Sequence, residues 1–263
     1  METRSLLLAS ILLLGFSNPA TAMVPAPEFS RVQRVEPLNT LAQGQQTQTD
    51  PRLQEADRLN QQVIQLYQQG RYEEAIVIAQ QVLKIRENSL GDVPDTAAAL
   101  NNLALLYDNI GRYSEAEPLY KRSLSISEQQ LGADHPDTAT ALNNLAKLYR
   151  GMGRYSEAEP LYQRSLSIRK QQLGDEHPDT AQSLNNLAAL YYTMGRYSEA
   201  ESLSQQSLSI SEQQLGSDHP NTATVLQGLA ALYYTMGRYS EAEPLLKRSL
   251  SIYEQQLDRK STR

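Results

Sequence analysis

The heptapeptide Gly-Arg-Tyr-Ser-Glu-Ala-Glu decides the fold of this chain, because it occurs four times at a constant spacing. Its copies begin at Gly111, Gly153, Gly195 and Gly237, so that each lies 42 residues after the one before. A weaker copy begins at Gly70, 41 residues before the first. A fixed period of about 20–50 residues is typical of a solenoid, in which each repeat packs on its neighbours. Proteins of this kind act through an extended surface, so the repeat predicts binding more than catalysis.

Each period contains the pattern of two amphipathic helices. In the copy that starts at Pro136, the proline suits the first position of a helix, where its missing N–H costs nothing. Apolar residues then recur at spacings of three and four, as on one face of a helix. Gly153 follows this helix, and Ser156 with Glu159 has the spacing of a capping box. We therefore expect a second helix that starts near Ser156, has Pro160 in its first turn and ends at a glycine cap, Gly174.

These residues resemble the tetratricopeptide repeat family. The residues that carry the resemblance are Leu145, Ala146, Tyr149, Gly153, Tyr155, Ala158 and Tyr162. The period of 42, with the strings His-Pro-Asp-Thr and Leu-Asn-Asn-Leu-Ala, narrows it to the repeats of kinesin light chains and their bacterial relatives. The resemblance implies an all-α fold, a right-handed α-solenoid of five helix–turn–helix repeats. They span about 51–92, 93–134, 135–176, 177–218 and 219–258, and a tail follows over 259–263.

The two terminal repeats depart from the pattern. The first helix of repeat one is rich in glutamine, as a solvated terminal cap should be. Repeat five continues into Asp258-Arg259-Lys260 without an additional capping helix. A face left partly apolar around Ile252, Tyr253 and Leu257 favours self-association, so a structural protein that assembles through this repeat is the alternative to a binding module.

The N-terminal residues have the composition of an export signal and a tether. Residues 1–22 combine a basic start, an apolar run over 6–16 and a small-x-small site that ends at Ala22, which predicts a cleaved signal peptide. An uncleaved anchor is the alternative, although the run is shorter than the roughly 20 residues of a spanning helix. Residues 23–50 are rich in Pro and Gln and keep no period, so they predict a flexible linker or a docking segment. We expect an exported protein, periplasmic or secreted.

Composition excludes several chemistries. The net charge of −6 argues against a nucleic-acid partner, and the absence of cysteine excludes thiolate sites. The three histidines, His135, His177 and His219, are one repeat apart, too far to share a metal ion, so we expect them to serve at helix entrances. Serine and aspartate occur in every repeat and histidine in three of the five, which indicates a structural role rather than one catalytic site. We predict no catalytic residue, no metal and no cofactor. The alternating charges of the Arg-Tyr-x-Glu-Ala string predict a solvated outer face rather than a binding stripe.

The resemblance places the binding groove on the first helices. The stripe expected to face it includes the pairs Asn101-Asn102, Asn143-Asn144 and Asn185-Asn186. Asparagine is a poor helix former, so three pairs in the middle of helices need a reason. An amide donates and accepts, which suits the backbone of an extended peptide. We predict that Asn102, Asn144 and Asn186 face the ligand; hydrogen bonds between repeats are the alternative for both members of each pair.

Specificity is expected from the residues around the amides, where the repeats differ most. Lys147 and Arg150 form a basic spot that suits a carboxylate, and Tyr192 and Tyr234 are candidate aromatic anchors. Drift at solvated positions is the alternative explanation of this variation. The sequence therefore predicts an adaptor that binds a protein or peptide segment, with no membrane span in the mature chain.

Overall fold

The computed structural model describes residues 50–261, with side chains to residue 256. Outside this range lie the predicted signal peptide, nearly all of the predicted linker and the last two residues. The side chain of Leu257 also lies outside the described part of the chain. Within it, the chain forms ten helices and no strand. The helices are α1 Pro51–Gln68, α2 Tyr72–Leu90, α3 Pro94–Asn109, α4 Tyr113–Gln130, α5 Pro136–Gly151, α6 Tyr155–Leu173, α7 Pro178–Thr193, α8 Tyr197–Gln214, α9 Pro220–Thr235 and α10 Tyr239–Ser261. The prediction of an all-α fold of five helix pairs is confirmed.

The first helix of every pair begins at its proline, as predicted. In the last two repeats the preceding histidine is the N-cap, and its Nδ1 accepts the backbone N–H of the second helical residue: His177 from Asp179 and His219 from Asn221, at 3.1 Å each. Thr222 Oγ1 donates to the carbonyl of Gly216 at 2.9 Å, which ties the helix start to the preceding turn. The helix entrances are therefore hydrogen-bonded locally, and the expected role of the histidines is confirmed.

The predicted capping box is wrong. The helix begins at Tyr155 with Arg154 as its N-cap, and no side chain caps it. Gly153, at φ 74°, and the bond from Arg154 N to the carbonyl of Tyr149 at 2.8 Å reverse the chain earlier than the serine would. Ser156 is therefore already helical, and Pro160 lies inside the helix rather than in its first turn. The glycine cap at Gly174, with φ 96°, is as predicted.

The described residues divide into two compact units, 50–148 and 149–261, and the division falls within α5. In the first unit α1 packs on α2, α2 on α3, and α3 on α4. In the second unit the same succession runs from α6 through α10. Each unit buries leucines of its first helices almost completely: Leu100 and Leu106 in one, and Leu184, Leu190, Leu226 and Leu232 in the other. Apolar burial between successive helices therefore holds each unit together.

Buried serines on the second helices explain how closely the helices of one repeat approach. Ser123 Oγ donates to the carbonyl of Ala97 at 2.8 Å, and Ser207 Oγ donates to that of Ala181 at 2.7 Å. Ser249 makes the same bond to Ala223 at 3.0 Å. A serine side chain is small enough for close packing and satisfies its own hydroxyl, so these recurrent serines are structural.

Candidate functional site

The residues predicted to bind a ligand lie on the first helices, and each unit carries its own set: α3 and most of α5 belong to the first unit, and α7 and α9 to the second. Their asparagines lie at different depths. Asn101, Asn102, Asn143 and Asn144 are all buried, at 4%, 3%, 2% and 8% exposure. Asn185 and Asn186 in α7 are half-buried.

One amide pair connects consecutive repeats in the first unit. Asn144 Nδ2 donates to Asn101 Oδ1 at 2.9 Å, between α5 and α3. This bond corresponds to the alternative that the asparagines join repeats. It also orients both amides, because each loses the freedom to turn away from its neighbour. Which asparagines contact a ligand stays a prediction.

Asn102 differs from its neighbours. Its Oδ1 is buried and has no hydrogen-bond partner among residues 50–261. A buried carbonyl oxygen left unpaired costs about 1–3 kcal/mol, so native structures rarely contain one without a reason. A ligand N–H would remove this cost. Among the four buried asparagines of α3 and α5, Asn102 is therefore the one whose buried side-chain oxygen lacks a hydrogen-bond partner.

The last asparagine pair lies next to the repeat that lacks one. An added Cβ at Gly228 in α9 would lie 3.7 Å from Asn185 Oδ1, so the amide packs against a helix surface without a side chain. Gln227 and Gly228 stand where earlier repeats have two asparagines.

The basic residues predicted to select an acidic ligand are both on α5. Lys147 and Arg150 are half-buried and lie three residues apart, which places them on neighbouring positions of the helix surface.

The two predicted aromatic anchors are not equivalent. Tyr192 is half-buried, and its hydroxyl shares a hydrogen bond of 2.9 Å with Thr235 Oγ1 of the next repeat. Tyr234 is 43% exposed, and its ring meets that of Tyr239 edge-on, with centroids 5.0 Å apart. The structure thus engages Tyr192 between repeats and leaves much of Tyr234 accessible.

The Arg-Tyr-x-Glu-Ala string makes a contact between repeats that the pattern of a single helix does not predict. The guanidinium of Arg196 lies 3.8 Å from the ring centre of Tyr191 and binds Glu159 of the preceding repeat at 2.7 Å. It also pairs with Glu199, and hydrogen bonds to Glu199 and Glu159 raise the pKa of this arginine. Cation–π contacts of this kind are worth about 0.5–2 kcal/mol.

The same arrangement recurs one repeat later. Arg238 lies 4.1 Å from the ring centre of Tyr233 and bonds to Glu201 of the preceding repeat at 2.8 Å. The prediction of a solvated outer face is therefore wrong for Arg196 and Arg238, which contact the preceding repeat. It holds for the glutamates that follow them, since Glu199 and Glu241 are 51% and 50% exposed.

A signal for this contact exists in the sequence. A glutamate precedes both Arg196 and Arg238 by 37 residues, and the corresponding position of repeat one is Ile76. Arg112 of repeat two accordingly has only a distant partner in repeat one, Glu73 at 3.9 Å. The pairing of arginine with glutamate is therefore visible in the sequence between residues of neighbouring repeats and not within one helix.

The described part of the chain brings together no group of three histidine, aspartate or glutamate side chains that could hold a metal ion. None of its helices is both long enough and apolar enough to cross a membrane. The side chains on the first helices that could bind a ligand are the asparagine amides, Lys147, Arg150 and Tyr234.

Comparisons with known proteins agree with this architecture. The tetratricopeptide repeat profile matches residues 55–129, 109–171, 137–213 and 179–255. A Podosopora anserina protein of the kinesin light chain type, with nearly identical TPR-like repeats, superposes with a TM-score of 0.62 at 27% identity, over 78% of this chain and 97% of that one. BtubC (BKLC) from P. vanneervenii gives a TM-score of 0.63 at 23% identity, over 78% and 88% of the two chains, and shows the fold alone. No curated protein sequence matched the chain.

Proposed function

Because the chain belongs to the tetratricopeptide repeat family, whose members bind protein partners, we propose that it is an exported adaptor without catalysis of its own. It holds an extended peptide segment along the first helices of its repeats. Nucleic acid is not its ligand, since the net charge is −6.

The observation that carries this proposal is the unpaired oxygen of Asn102. An extended peptide presents backbone N–H groups at regular intervals, and one of them can donate to Asn102 Oδ1. The bond needs no particular side chain in the ligand, so it contributes affinity rather than specificity. The neighbouring bond between Asn144 and Asn101 keeps the adjacent amides in place.

Specificity comes from the positions at which the repeats differ. Lys147 replaces the Leu105 of the previous repeat, and Arg150 replaces Asp108. A ligand carboxylate near α5 gains charge-assisted hydrogen bonds from these two side chains. In the second unit the exposed ring of Tyr234 offers apolar area with a polar tip, which suits an apolar ligand residue.

Export rests on the N-terminal sequence. The apolar run over residues 6–16 and the Ala20-Thr21-Ala22 site support cleavage after Ala22 and release into the periplasm or the medium. Mass spectrometry of the protein recovered from its producing cell tests this directly. An intact Met1 in the recovered protein would overturn export by cleavage.

The adaptor function is tested by affinity capture from periplasmic and extracellular extract. The bait is the chain from residue 23, compared with the double variant Lys147→Ala, Arg150→Ala. A matched control, Arg52→Ala with Lys84→Ala, removes the same charges from exposed positions outside the stripe. We expect a protein that the parent and the control retain and the first variant loses. Equal retention by all three baits would exclude Lys147 and Arg150 from the contact with the partner.

A further inference from the structure

The outward face of α10 exposes a leucine whose counterpart in the preceding repeat packs against the next repeat. Leu208 of α8 packs against a buried cluster of Ala223, Leu226 and Ile252 in the following repeat. Leu250 occupies the same position in α10 and is 43% exposed. Tyr239, at the start of α10, is 60% exposed. Among the described residues, Tyr234 of α9 contacts the ring of Tyr239, and both Tyr239 and Leu250 stay exposed.

Charges of both signs flank Leu250. At 100° per residue, Glu243, Lys247 and Glu254 all lie within about 60° of Leu250 around the helix. All three are exposed, and Lys247 reaches Glu243 at 2.7 Å with 71% and 56% of the two side chains accessible. The face thus has Leu250 at its centre, with Lys247 and its partner Glu243 on the N-terminal side along the helix and Glu254 on the C-terminal side.

The first helix of a second copy does not fit this face. In α9, Val225, Leu229 and Leu232 are apolar and buried, at 4%, 3% and 1% exposure. The corresponding residues of α1 are Arg58, Gln62 and Gln65. Stacking repeat five on repeat one would bury Gln62, Gln65 and the ion pair of Arg58 with Glu55 against an apolar surface, at the usual desolvation cost. Head-to-tail assembly is therefore disfavoured.

We propose that α10 pairs with α10 of a second copy, the two helices running antiparallel about a two-fold axis next to Leu250. In this arrangement the two Leu250 side chains meet at the centre. Because the helices run in opposite directions, a residue three positions before Leu250 in one copy lies opposite the residues three to four positions after Leu250 in the other copy. The two-fold axis keeps both residues on the same side of the helix pair. Lys247 therefore faces Glu254 of the second copy, and symmetry makes this ion pair twice.

The central Leu250 and the pairing of Lys247 with Glu254 make the face self-complementary, which is what an isologous contact requires. This inference does not depend on the proposed peptide function, since none of its residues lies on a first helix.

The test is the mass of the purified full chain by sedimentation equilibrium as concentration rises. We expect a monomer of 29.4 kDa that passes reversibly to a dimer and no further. Leu250→Glu should abolish the dimer. Val77→Glu is the matched control, because Val77 is also exposed, at 56%, and lies on α2.

The charge pairing has a sharper test. Lys247→Glu and Glu254→Lys should each weaken the dimer about tenfold or more, because each turns two attractive pairs into repulsive ones. An equimolar mixture of the two variants should form heterodimers at parental strength, since both pairs become attractive again.

Growth beyond a dimer, a monomer at every concentration, or a mixture that stays monomeric would each overturn the proposal. Loss of the dimer in the Val77→Glu control would place the contact elsewhere and overturn it as well.

Discussion

Replacing Asn102 by leucine should not destabilise the protein, although the side chain is 3% exposed. Leucine has the same branching and the same number of side-chain heavy atoms as asparagine, and the larger volume of its methyl groups offsets only part of the gain from losing the unpaired amide oxygen. The substitution removes an oxygen that has no hydrogen-bond partner, whose burial costs about 1–3 kcal/mol. Leucine is also the better helix former, by roughly half a kcal/mol. We therefore expect Asn102→Leu to raise the free energy of unfolding by about 1 kcal/mol or more.

The matched control is Asn101→Leu, one position earlier on the same helix. It removes the acceptor of the 2.9 Å bond from Asn144 and leaves that buried amide donor unpaired. The expected cost is about 1–3 kcal/mol. Urea unfolding followed by circular dichroism at the helical band compares the two variants with the parent. If Asn102→Leu destabilises the protein as much as Asn101→Leu, the oxygen of Asn102 has a structural partner and the reasoning fails.

Three further results follow from the structure. Arg238→Ala should move the midpoint of a urea titration to a lower urea concentration, because it removes a ring contact and the bridge to the preceding repeat, and Arg238→Lys should recover only part of this shift. Burial lowers the pKa of His219 below the ordinary histidine value of 6.5, so the unfolded chain binds more protons near and below that pH. Stability should accordingly fall as the pH drops below about 6.5. His219→Asn, which keeps a capping side chain, should flatten the pH profile of the melting temperature, and an unchanged profile would contradict this. Gly195→Ala should cost about 1 kcal/mol because φ is +75° there, whereas Gly228→Ala, in a regular helix with only an ordinary contact, should gain up to about 1 kcal/mol; equal shifts in the two melting curves would refute the distinction.

The repeated sequence pattern predicts the helices because each signal for the start or the end of a helix involves only a few neighbouring residues. Prolines at fixed positions mark helix starts, and Gly174 marks an end through its positive φ. The capping box failed for the same local reason. The turn that ends at Gly153 already reverses the chain, so the second helix begins at Tyr155, before Ser156 can cap it.

Contacts between repeats were harder to predict, because they join residues about 40 positions apart. Arg196 pairs with Glu159 across repeats and with Glu199 within its own helix, and a single helix pattern reveals only the second partner. The burial of the asparagines has the same origin. A helix periodicity places Asn102 on a polar stripe, while the neighbouring helices decide that its oxygen is enclosed and unpaired.

Whether a peptide N–H bonds to Asn102 Oδ1 is the central question, and one affinity measurement tests it directly. A segment of the captured partner is titrated calorimetrically into the parent and into Asn102→Leu, at matched folded fraction. We expect the variant to bind up to about tenfold more weakly while its free energy of unfolding is equal or higher, since one neutral hydrogen bond contributes about 0.5–1.5 kcal/mol. Equal affinity for the two proteins would contradict the claim, because the oxygen would then serve no ligand.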